Sequence, residues 1–269
     1  MPSDEIPVAA AQFAPGTDKA ANLDAIRSLA QRAVDRGAQL VVFPEYSSFF
    51  TPELGARAVA AAESLDGPFV AALARIAGNV GATIVAGMLE ATRTPDRFAN
   101  TLIAVSRSGE VLAKYRKIHL YDAFGQRESD SVLAGDIERP ETFSVGGFTA
   151  GLQTCYDLRF PESTRRLVDA GVDLVLVPSE WVRGPLKEAH WRLLVTARAV
   201  ENTVYVVAAD QAPPIGAGNS MIVDPMGVEL ATVGENTDVA LGWASPARLA
   251  EVRAINPALA LRRFAVVAR

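Results

Sequence analysis

Short, largely apolar segments alternate along the chain with segments whose apolar residues recur every three or four positions. Apolar segments of four to eight residues are typical of strands buried on both faces, and the longer periodic segments are typical of helices that bury one face. The alternation therefore predicts an α/β fold in which helices cover largely parallel sheets. Strands are expected at residues 6–13, 39–45, 83–89, 148–155, 172–178 and 204–210.

The periodic segments predict four helices, and a glycine marks the end of the first. Apolar residues recur at helical spacing from Asp18 to Arg36, and Gly37 follows where a left-handed residue usually ends a helix. Two hairpins are expected at residues 107–109 and 224–227, where turn sequences join apolar segments. The other helices are expected at residues 69–80, 161–170 and 190–202.

Two pairs of local sequences repeat in the same order in the two halves of the chain. GAQLVVFPEY from Gly37 resembles GVDLVLVPSEW from Gly171, and NTLIAVSRSGEVLAKY from Asn100 resembles NSMIVDPMGVELATV from Asn219. Two such halves bury both faces of their sheets if the sheets stack with the helices outside. We therefore predict a four-layer α-β-β-α sandwich built from two similar halves, as a single domain over residues 1–269.

Composition and charge exclude several classes of protein. With 49% hydrophobic and 21% charged residues the chain has the composition of an ordinary globular domain, and a net charge of −5 argues against a nucleic-acid partner. A single cysteine excludes an internal disulfide and a CxxC metal or redox pair. Asp4 and Glu5 stand where a secretory signal would carry positive charge, and no segment has the length of a membrane span. We expect a cytoplasmic protein without a membrane partner.

The one cysteine, Cys155, lies at the end of a predicted strand. A lone cysteine is more often a small buried hydrophobe than a nucleophile. Here, however, the apolar strand stops at Cys155 and the polar residues YDLR follow, which predicts a strand-to-helix turn with an exposed sulfur, as at nucleophile elbows. Outward-facing amides and a nearby cation would lower the pKa of such a thiol.

Two other charged residues complete a chemical set with the thiol. Glu45 directly follows a strand that a proline ends, and Lys117 lies on a predicted alternating strand that puts Tyr115 and His119 on one face. Taken singly, each has a simple alternative as a solvated surface charge. Together they supply a carboxylate to accept the thiol proton and an ammonium to hold an oxyanion. Strand ends of stacked sheets can bring them together, with Glu128 as a fourth member.

The sequence blocks around these residues resemble those of the nitrilase superfamily of carbon-nitrogen hydrolases. FPEY, KYRKIHLYD with GQRES, and GLQTCYDLRFPE match its three blocks in order and approximate spacing. The resemblance implies that Cys155 is the nucleophile, Glu45 the general base, Lys117 the oxyanion stabiliser and Glu128 a second carboxylate. The backbone amide of Tyr156 would complete the oxyanion hole. It also implies the α-β-β-α fold, a homodimer or higher homo-oligomer, and no metal or other cofactor.

The resemblance is greatest to the amidase branch that contains deaminated glutathione amidase and ω-amidase. Tyr-Asp follows Cys155 where nitrilases generally have Trp-Glu, which favours amides over nitriles. The substrate would be a short amide that carries a carboxylate. Candidate anchors for that carboxylate, and two aromatic residues expected to line the pocket with them, are Arg159, Arg183 and Lys187, with Trp181 and Tyr121.

Several alternatives remain open at this point. Within the superfamily the chain could be an N-carbamoyl-amide hydrolase or a nitrilase. A Cys-His hydrolase could use His119 or His190, the only two histidines. A non-catalytic nucleotide-binding module would be a different class, although the chain has neither GxGxxG nor a P-loop. A pseudoenzyme that acts as an interaction protein would have no reason to keep all three chemical residues.

Overall fold

The computed structural model describes residues 5–268, so Asp4, Arg269 and the three residues before Asp4 lie outside the described part of the chain. The strands are β1 Ile6–Gln12, β2 Leu40–Val42, β3 Thr83–Ala91, β4 Phe98–Val105, β5 Val111–Arg116, β6 Thr142–Val145, β7 Phe148–Leu152, β8 Leu174–Ser179, β9 Tyr205–Asp210, β10 Met221–Val223, β11 Glu229–Thr232 and β12 Asp238–Ala244. The α-helices are α1 Lys19–Asp35, α2 Ala56–Ala61, α3 Pro68–Val80, α4 Pro161–Asp169, α5 Lys187–Asn202 and α6 Pro246–Ile255. Among these residues no helix combines the length and apolar composition that a membrane crossing requires.

The strands form two six-stranded sheets with matching layouts. The first has the order β12-β1-β2-β3-β4-β5 and the second β11-β10-β9-β8-β7-β6. In each sheet three consecutive strands run parallel and the remaining pairings are antiparallel. Counted from the opposite edge, the second sheet repeats the first strand for strand, which accords with the prediction of two similar halves.

The four layers follow from how each strand divides its side chains between two apolar environments. In β2, Val41 packs with residues of α1 and α3, whereas Leu40 and Val42 pack with residues of the second sheet. The outer face of the second sheet packs in the same way against α4 and α5. The strands are apolar throughout because both faces are buried, so the α-β-β-α sandwich predicted from the sequence is confirmed.

The parallel strands also place the candidate residues at one edge of the sandwich. Glu45 follows β2 and Cys155 follows β7, both at carboxyl ends of parallel strands, where α/β sheets usually carry their sites. Lys117, which was predicted to lie on a strand, instead follows β5, which ends at Arg116. The hydrogen bonding to the antiparallel strand β4 continues for one more residue, because the Lys117 amide donates to the carbonyl of Asn100 at 2.9 Å.

The sequence patterns did not predict α2, α6, β6 or β12. α2 has only six residues and β6 only four, too few to show a period. α6 has no strongly apolar face, and β12 pairs with β1 across almost the whole length of the chain. Periodicity reads local sequence, so it cannot show that the last strand closes the edge of the first sheet.

Gly87 in β3 allows the backbone of the segment that carries Glu45 to pass close to that strand. A Cβ at Gly87 would lie 2.5 Å from the Tyr46 nitrogen and 2.8 Å from the Glu45 Cα. The Gly87 amide donates to the carbonyl of Pro44 at 3.1 Å, so this approach also fixes the backbone just before Glu45. A side chain at this position would have to displace backbone rather than a flexible side chain.

We predict that Gly87→Ala lowers the free energy of unfolding by about 1–3 kcal/mol, because overpacking against backbone is relieved only by shifting the Glu45 segment. Activity should fall with it. Gly234→Ala is the matched control, since a Cβ there would meet nothing within 4 Å. Urea unfolding curves of the two variants test the prediction, and equal midpoints would contradict it.

Candidate active site

Lys117 is buried between two carboxylates. Its Nζ lies 2.9 Å from Glu45 Oε1 and 2.9 Å from Glu128 Oε2. The side chains of Lys117 and Glu45 are only 2% and 1% exposed. Buried charges of this kind are tolerated when they are paired and hydrogen-bonded, and here one ammonium serves both carboxylates.

Neutral donors add further hydrogen bonds to the two carboxylates. Asn100 Nδ2 donates to Glu45 Oε1 at 2.5 Å and to Glu128 Oε1 at 3.2 Å. The Tyr46 hydroxyl donates to Glu128 Oε1 at 2.6 Å, and the Tyr121 amide donates to Glu128 Oε2 at 2.6 Å. Sequence reasoning missed Asn100 and Tyr46 as site residues. The polar Asn100 inside the largely apolar β4 was the one available signal.

The cluster shifts the pKa values of its members. Burial would lower the pKa of Lys117, but the carboxylates of Glu128 and Glu45 outweigh it and raise that pKa well above its usual range. Burial raises the pKa of Glu45, and Lys117 opposes part of that rise while Glu128 adds to it. Lys117 is therefore held as an ammonium, while Glu45 becomes a stronger base than an ordinary glutamate.

Cys155 occupies a sharp turn between β7 and a short 3₁₀ helix, Cys155–Arg159. Its φ of +43° is unusual for a residue other than glycine, as expected at a nucleophile elbow. Asp157 braces the turn: its Oδ2 accepts from the Thr154 amide at 3.0 Å and from the Tyr115 hydroxyl at 2.6 Å. The strain at Cys155 is thus held by bonds from two separate strands.

The prediction of an exposed sulfur with a lowered pKa is wrong. Cys155 is 6% exposed, and its Sγ donates to the carbonyl of Glu180 at 3.3 Å. Burial and the charge of Glu45 raise the pKa of the thiol well above its usual range, and Lys117 only partly opposes them. Burial is the main physical reason, and the ammonium of Lys117, which also serves two carboxylates, offsets only part of its effect.

One cavity joins the candidate residues, because Glu45, Lys117, Glu128 and Cys155 all line it. A smaller recess opens beside the sulfur. Four of the five predicted substrate-binding residues line that recess, together with the residue whose amide was predicted for the oxyanion hole and one further charged residue. These six are Tyr121, Arg159, Trp181, Tyr156, Lys187 and Glu180.

Two cations in the recess lie against aromatic rings. Lys187 Nζ donates to the Tyr121 hydroxyl at 2.6 Å and lies 4.0 Å from the centre of the Phe124 ring. The guanidinium of Arg159 lies 4.9 Å from the centre of the Trp181 ring. Burial and then Arg159 lower the pKa of Lys187. Within residues 5–268 no carboxylate forms an ion pair with either cation, so both can receive an anion.

Arg183, the third candidate anchor, lies elsewhere. Its guanidinium pairs with Glu235 at 2.8 Å and with Glu188 at 3.5 Å on the surface, and it does not line the recess. The expectation that Arg183 could bind the substrate is therefore not supported by its position. Its local sequence was equally compatible with a surface ion pair.

The two histidines do not assemble with the thiol. His119 Nδ1 lies 2.7 Å from Asp157 Oδ1, and its ring stacks on Phe160 with the ring centres 3.8 Å apart. His190 lies beside Arg159, with 3.5 Å between its Nδ1 and the guanidinium. Neither histidine lines the cavity or the recess around Cys155. The Cys-His alternative therefore lacks its central contact.

Comparison with known proteins gives consistent matches. The family model described as carbon-nitrogen hydrolase matches residues 7–254. A deaminated glutathione amidase of Escherichia coli O157:H7 is 39% identical over 259 residues, which cover 96% of this chain and 97% of the relative. A carbon-nitrogen hydrolase superfamily protein of Xanthomonas campestris, solved with an arsenic adduct in its active site, superposes with a TM-score of 0.86 at 28% identity, covering 98% and 99% of the two chains.

A further solved structure carries chemical information of its own. It is a variant of an amidase from Nesterenkonia sp. AN1 that shows covalent addition of the acetamide moiety of fluoroacetamide at its active-site cysteine. It is 28% identical to this chain, has a TM-score of 0.78, and the match covers 97% of both chains.

We predict that Lys117→Met lowers the free energy of unfolding at neutral pH by about 3–5 kcal/mol, because two buried carboxylates lose their common cation. Lys117 holds down the pKa of Glu45, so in the variant the folded-state pKa of Glu45 rises further. The folded variant then binds more protons than the unfolded chain, and the loss should be smallest below about pH 4.3 and grow as the pH rises.

Lys114→Met is the control for that variant. Lys114 pairs with Glu141 at 2.7 Å on the surface, and exposed pairs contribute only about 0.2–1 kcal/mol. Chemical unfolding of both variants between pH 4 and pH 8 gives the comparison. A pH-independent loss in Lys117→Met, or one no larger than in Lys114→Met, would be inconsistent with a buried shared cation.

Proposed function

Because the chain belongs to the carbon-nitrogen hydrolase family, we propose that it hydrolyses a small carboxylated amide to a carboxylate and ammonia, through a thioester on Cys155. The observation that carries the proposal is that a thiol, a buried carboxylate and a buried ammonium line one cavity, as Cys155, Glu45 and Lys117. The named relative supports amide hydrolysis, and the Nesterenkonia amidase variant, whose active-site cysteine carries the acetamide moiety of fluoroacetamide, supports a cysteine nucleophile.

In the first half-reaction the sulfur of Cys155 attacks the amide carbonyl while Glu45 takes the thiol proton. The tetrahedral oxyanion is held by the ammonium of Lys117 and by the backbone amide of Tyr156. When the carbon-nitrogen bond breaks, Glu45 returns the proton to the departing nitrogen and ammonia leaves. A preorganised oxyanion donor is typically worth about 3–4 kcal/mol of transition-state stabilisation.

In the second half-reaction Glu45 takes a proton from water as the water attacks the thioester. Collapse of the second tetrahedral intermediate breaks the carbon-sulfur bond, releases the carboxylate and returns the proton to the sulfur. Glu128 shares Lys117 with Glu45, so its role is to position the ammonium between the two carboxylates.

The raised pKa of the thiol explains why a general base is needed. A thiol with a pKa well above its usual range is protonated at neutral pH, so proton removal has to accompany attack. The raised pKa of Glu45 makes that carboxylate a better match for this proton transfer. The site is therefore suited to concerted deprotonation rather than to a preformed thiolate.

The recess beside the sulfur suits the acyl part of the substrate. We propose that Arg159 and Lys187 bind its carboxylate, because both line the recess and neither forms an ion pair with a carboxylate of residues 5–268. Arginine can bind both oxygens of a carboxylate with its planar fork. The rings of Tyr121 and Trp181 would flank the carbon chain.

Assembly and location complete the proposal. We propose a homodimer or a higher homo-oligomer, because apolar side chains of α5 and the carboxyl-terminal segment are exposed, as at Leu193 and Phe264. Analytical ultracentrifugation measures the mass, and a monomer at micromolar concentration would contradict this. We further propose a cytoplasmic location, since the only cysteine is the proposed nucleophile and a reducing compartment would keep it reduced.

The reaction is tested with a panel of short carboxylated amides, their N-carbamoyl counterparts and the matching nitriles. Ammonia release should be fastest with the amides, and mass spectrometry of quenched enzyme should find the acyl group on Cys155. Cys155→Ala should reduce turnover by at least about 1,000-fold, since the covalent route is lost. Faster turnover of carbamoyl compounds or nitriles would point to those branches of the superfamily, and turnover by Cys155→Ala would end the mechanism.

The carboxylate anchor is tested with methionine variants, which keep an unbranched side chain but remove the charge. Arg159→Met should raise KM for a carboxylated amide by about 10- to 100-fold, because a charge-assisted hydrogen bond is worth about 1.5–3 kcal/mol. The KM for propionamide, which has no carboxylate, should change much less. Arg183→Met is the control on the surface, and a larger effect there than at Arg159 would place the anchor outside the recess.

A further inference from the structure

Glu180 lies between the reactive thiol and the general base, and its backbone touches both. Its carbonyl accepts from Cys155 Sγ at 3.3 Å, and its amide donates to Glu45 Oε2 at 2.7 Å. These contacts use only the main chain, so they would persist with any side chain at this position. The side chain of Glu180 therefore takes no part in the contacts with Cys155 and Glu45.

Glu180 also lines the substrate space. Glu180 lines both the cavity that holds Lys117 and the recess that holds Arg159. Its Oε1 is buried and has no hydrogen-bond partner among the described residues. A buried acceptor without a donor costs free energy, so such a group in a native protein calls for an explanation.

The surrounding charges do not provide that donor. Lys117 Nζ is already engaged by Glu45 and Glu128, and Lys187 Nζ donates to the Tyr121 hydroxyl. Burial, followed by the charge of Glu45, raises the pKa of Glu180 well above its usual range, and the two lysines only oppose part of this rise. The carboxyl group is thus left without a partner in a site that would otherwise attract an anion.

We infer that Glu180 is a specificity-determining residue that accepts a hydrogen bond from an ammonium or hydroxyl group on the substrate. Because Glu180 lines both spaces, that donor would lie on the carbon chain between the scissile carbonyl and the carboxylate at Arg159. This rests on the proposed function and narrows it: the substrate is a carboxylated amide with an amino or hydroxyl substituent. A dicarboxylic monoamide without such a substituent would leave the carboxyl group of Glu180 unpaired beside the negative charge of the substrate.

Five related probes test this inference. They are succinamate and its derivatives with one amino or one hydroxyl group on either of the two intervening carbons. We expect the best derivative to exceed succinamate by at least about tenfold in kcat/KM, because a site built to bond a donor discriminates strongly against the analogue without it. Glu180→Ala should bring that ratio close to one. Glu180→Gln should still prefer the hydroxyl derivatives to succinamate and should lose any preference for the amino derivatives.

Glu188→Ala is the matched control. Glu188 is a partly exposed acid on α5 that pairs with Arg183 outside the recess, so its removal should leave the ratio at the wild-type value. Circular dichroism and thermal unfolding of all variants check the fold. We expect Glu180→Ala to unfold at or above the wild-type temperature, because it removes a carboxyl group whose buried Oε1 has no partner among the described residues.

A binding measurement separates this inference from the proposed reaction. Calorimetry with Cys155→Ala and with the double variant that adds Glu180→Ala gives dissociation constants for all five probes without turnover. A donor preference that needs Glu180 upholds the inference even if the wild type turns over none of the probes. Turnover without any donor preference, or equal losses on all five probes in Glu180→Ala, overturns the inference and leaves the amidase proposal standing. If the protein neither turns over nor binds any of the five probes, both the inference and the amidase proposal are overturned.

Discussion

The ammonium of Lys117 is buried between the carboxylates of Glu45 and Glu128, and much of the site follows from that one arrangement. Burial makes Glu45 more basic than usual and raises the pKa of the Cys155 thiol, and Lys117, which serves two carboxylates, offsets only part of each rise. Asn100 contributes neutral donors to both carboxylates, which makes their burial tolerable without adding a second positive charge. In the proposed mechanism the cluster therefore acts on the thiol through a base.

The geometry of the thiol depends on a second buried carboxylate. Asp157 bonds to the Thr154 amide on one side of Cys155 and to the Tyr115 hydroxyl of β5 on the other. The strand that leads to Lys117 and the turn that carries the sulfur are thereby tied to one side chain. A residue with φ of +43° persists only where its surroundings over-determine it, and Asp157 supplies that constraint.

The internal repeat places a glutamate in each half of the site, and the two glutamates differ in their contacts. β2 and β8 hold equivalent places in the two sheets, and each leads through a proline into a glutamate, Glu45 in one case and Glu180 in the other. The carboxyl of Glu45 is turned toward the lysine and becomes the proposed base. Glu180 lines the substrate space, and its main chain contacts both the proposed base and the sulfur.

The sequence alone determined the layered fold, because strands apolar on both faces, as in β2, require a sheet on one side and helices on the other. It also singled out Cys155, Glu45 and Lys117, whose positions beside apolar strands are local features. Partner sharing and the direction of each charged side chain are not local. Only the tertiary structure showed that Lys117 serves two carboxylates and that the pKa of the Cys155 thiol is raised. It also showed that Arg183 lies outside the recess and that Glu180 lines it. Each of these findings depends on groups distant in sequence.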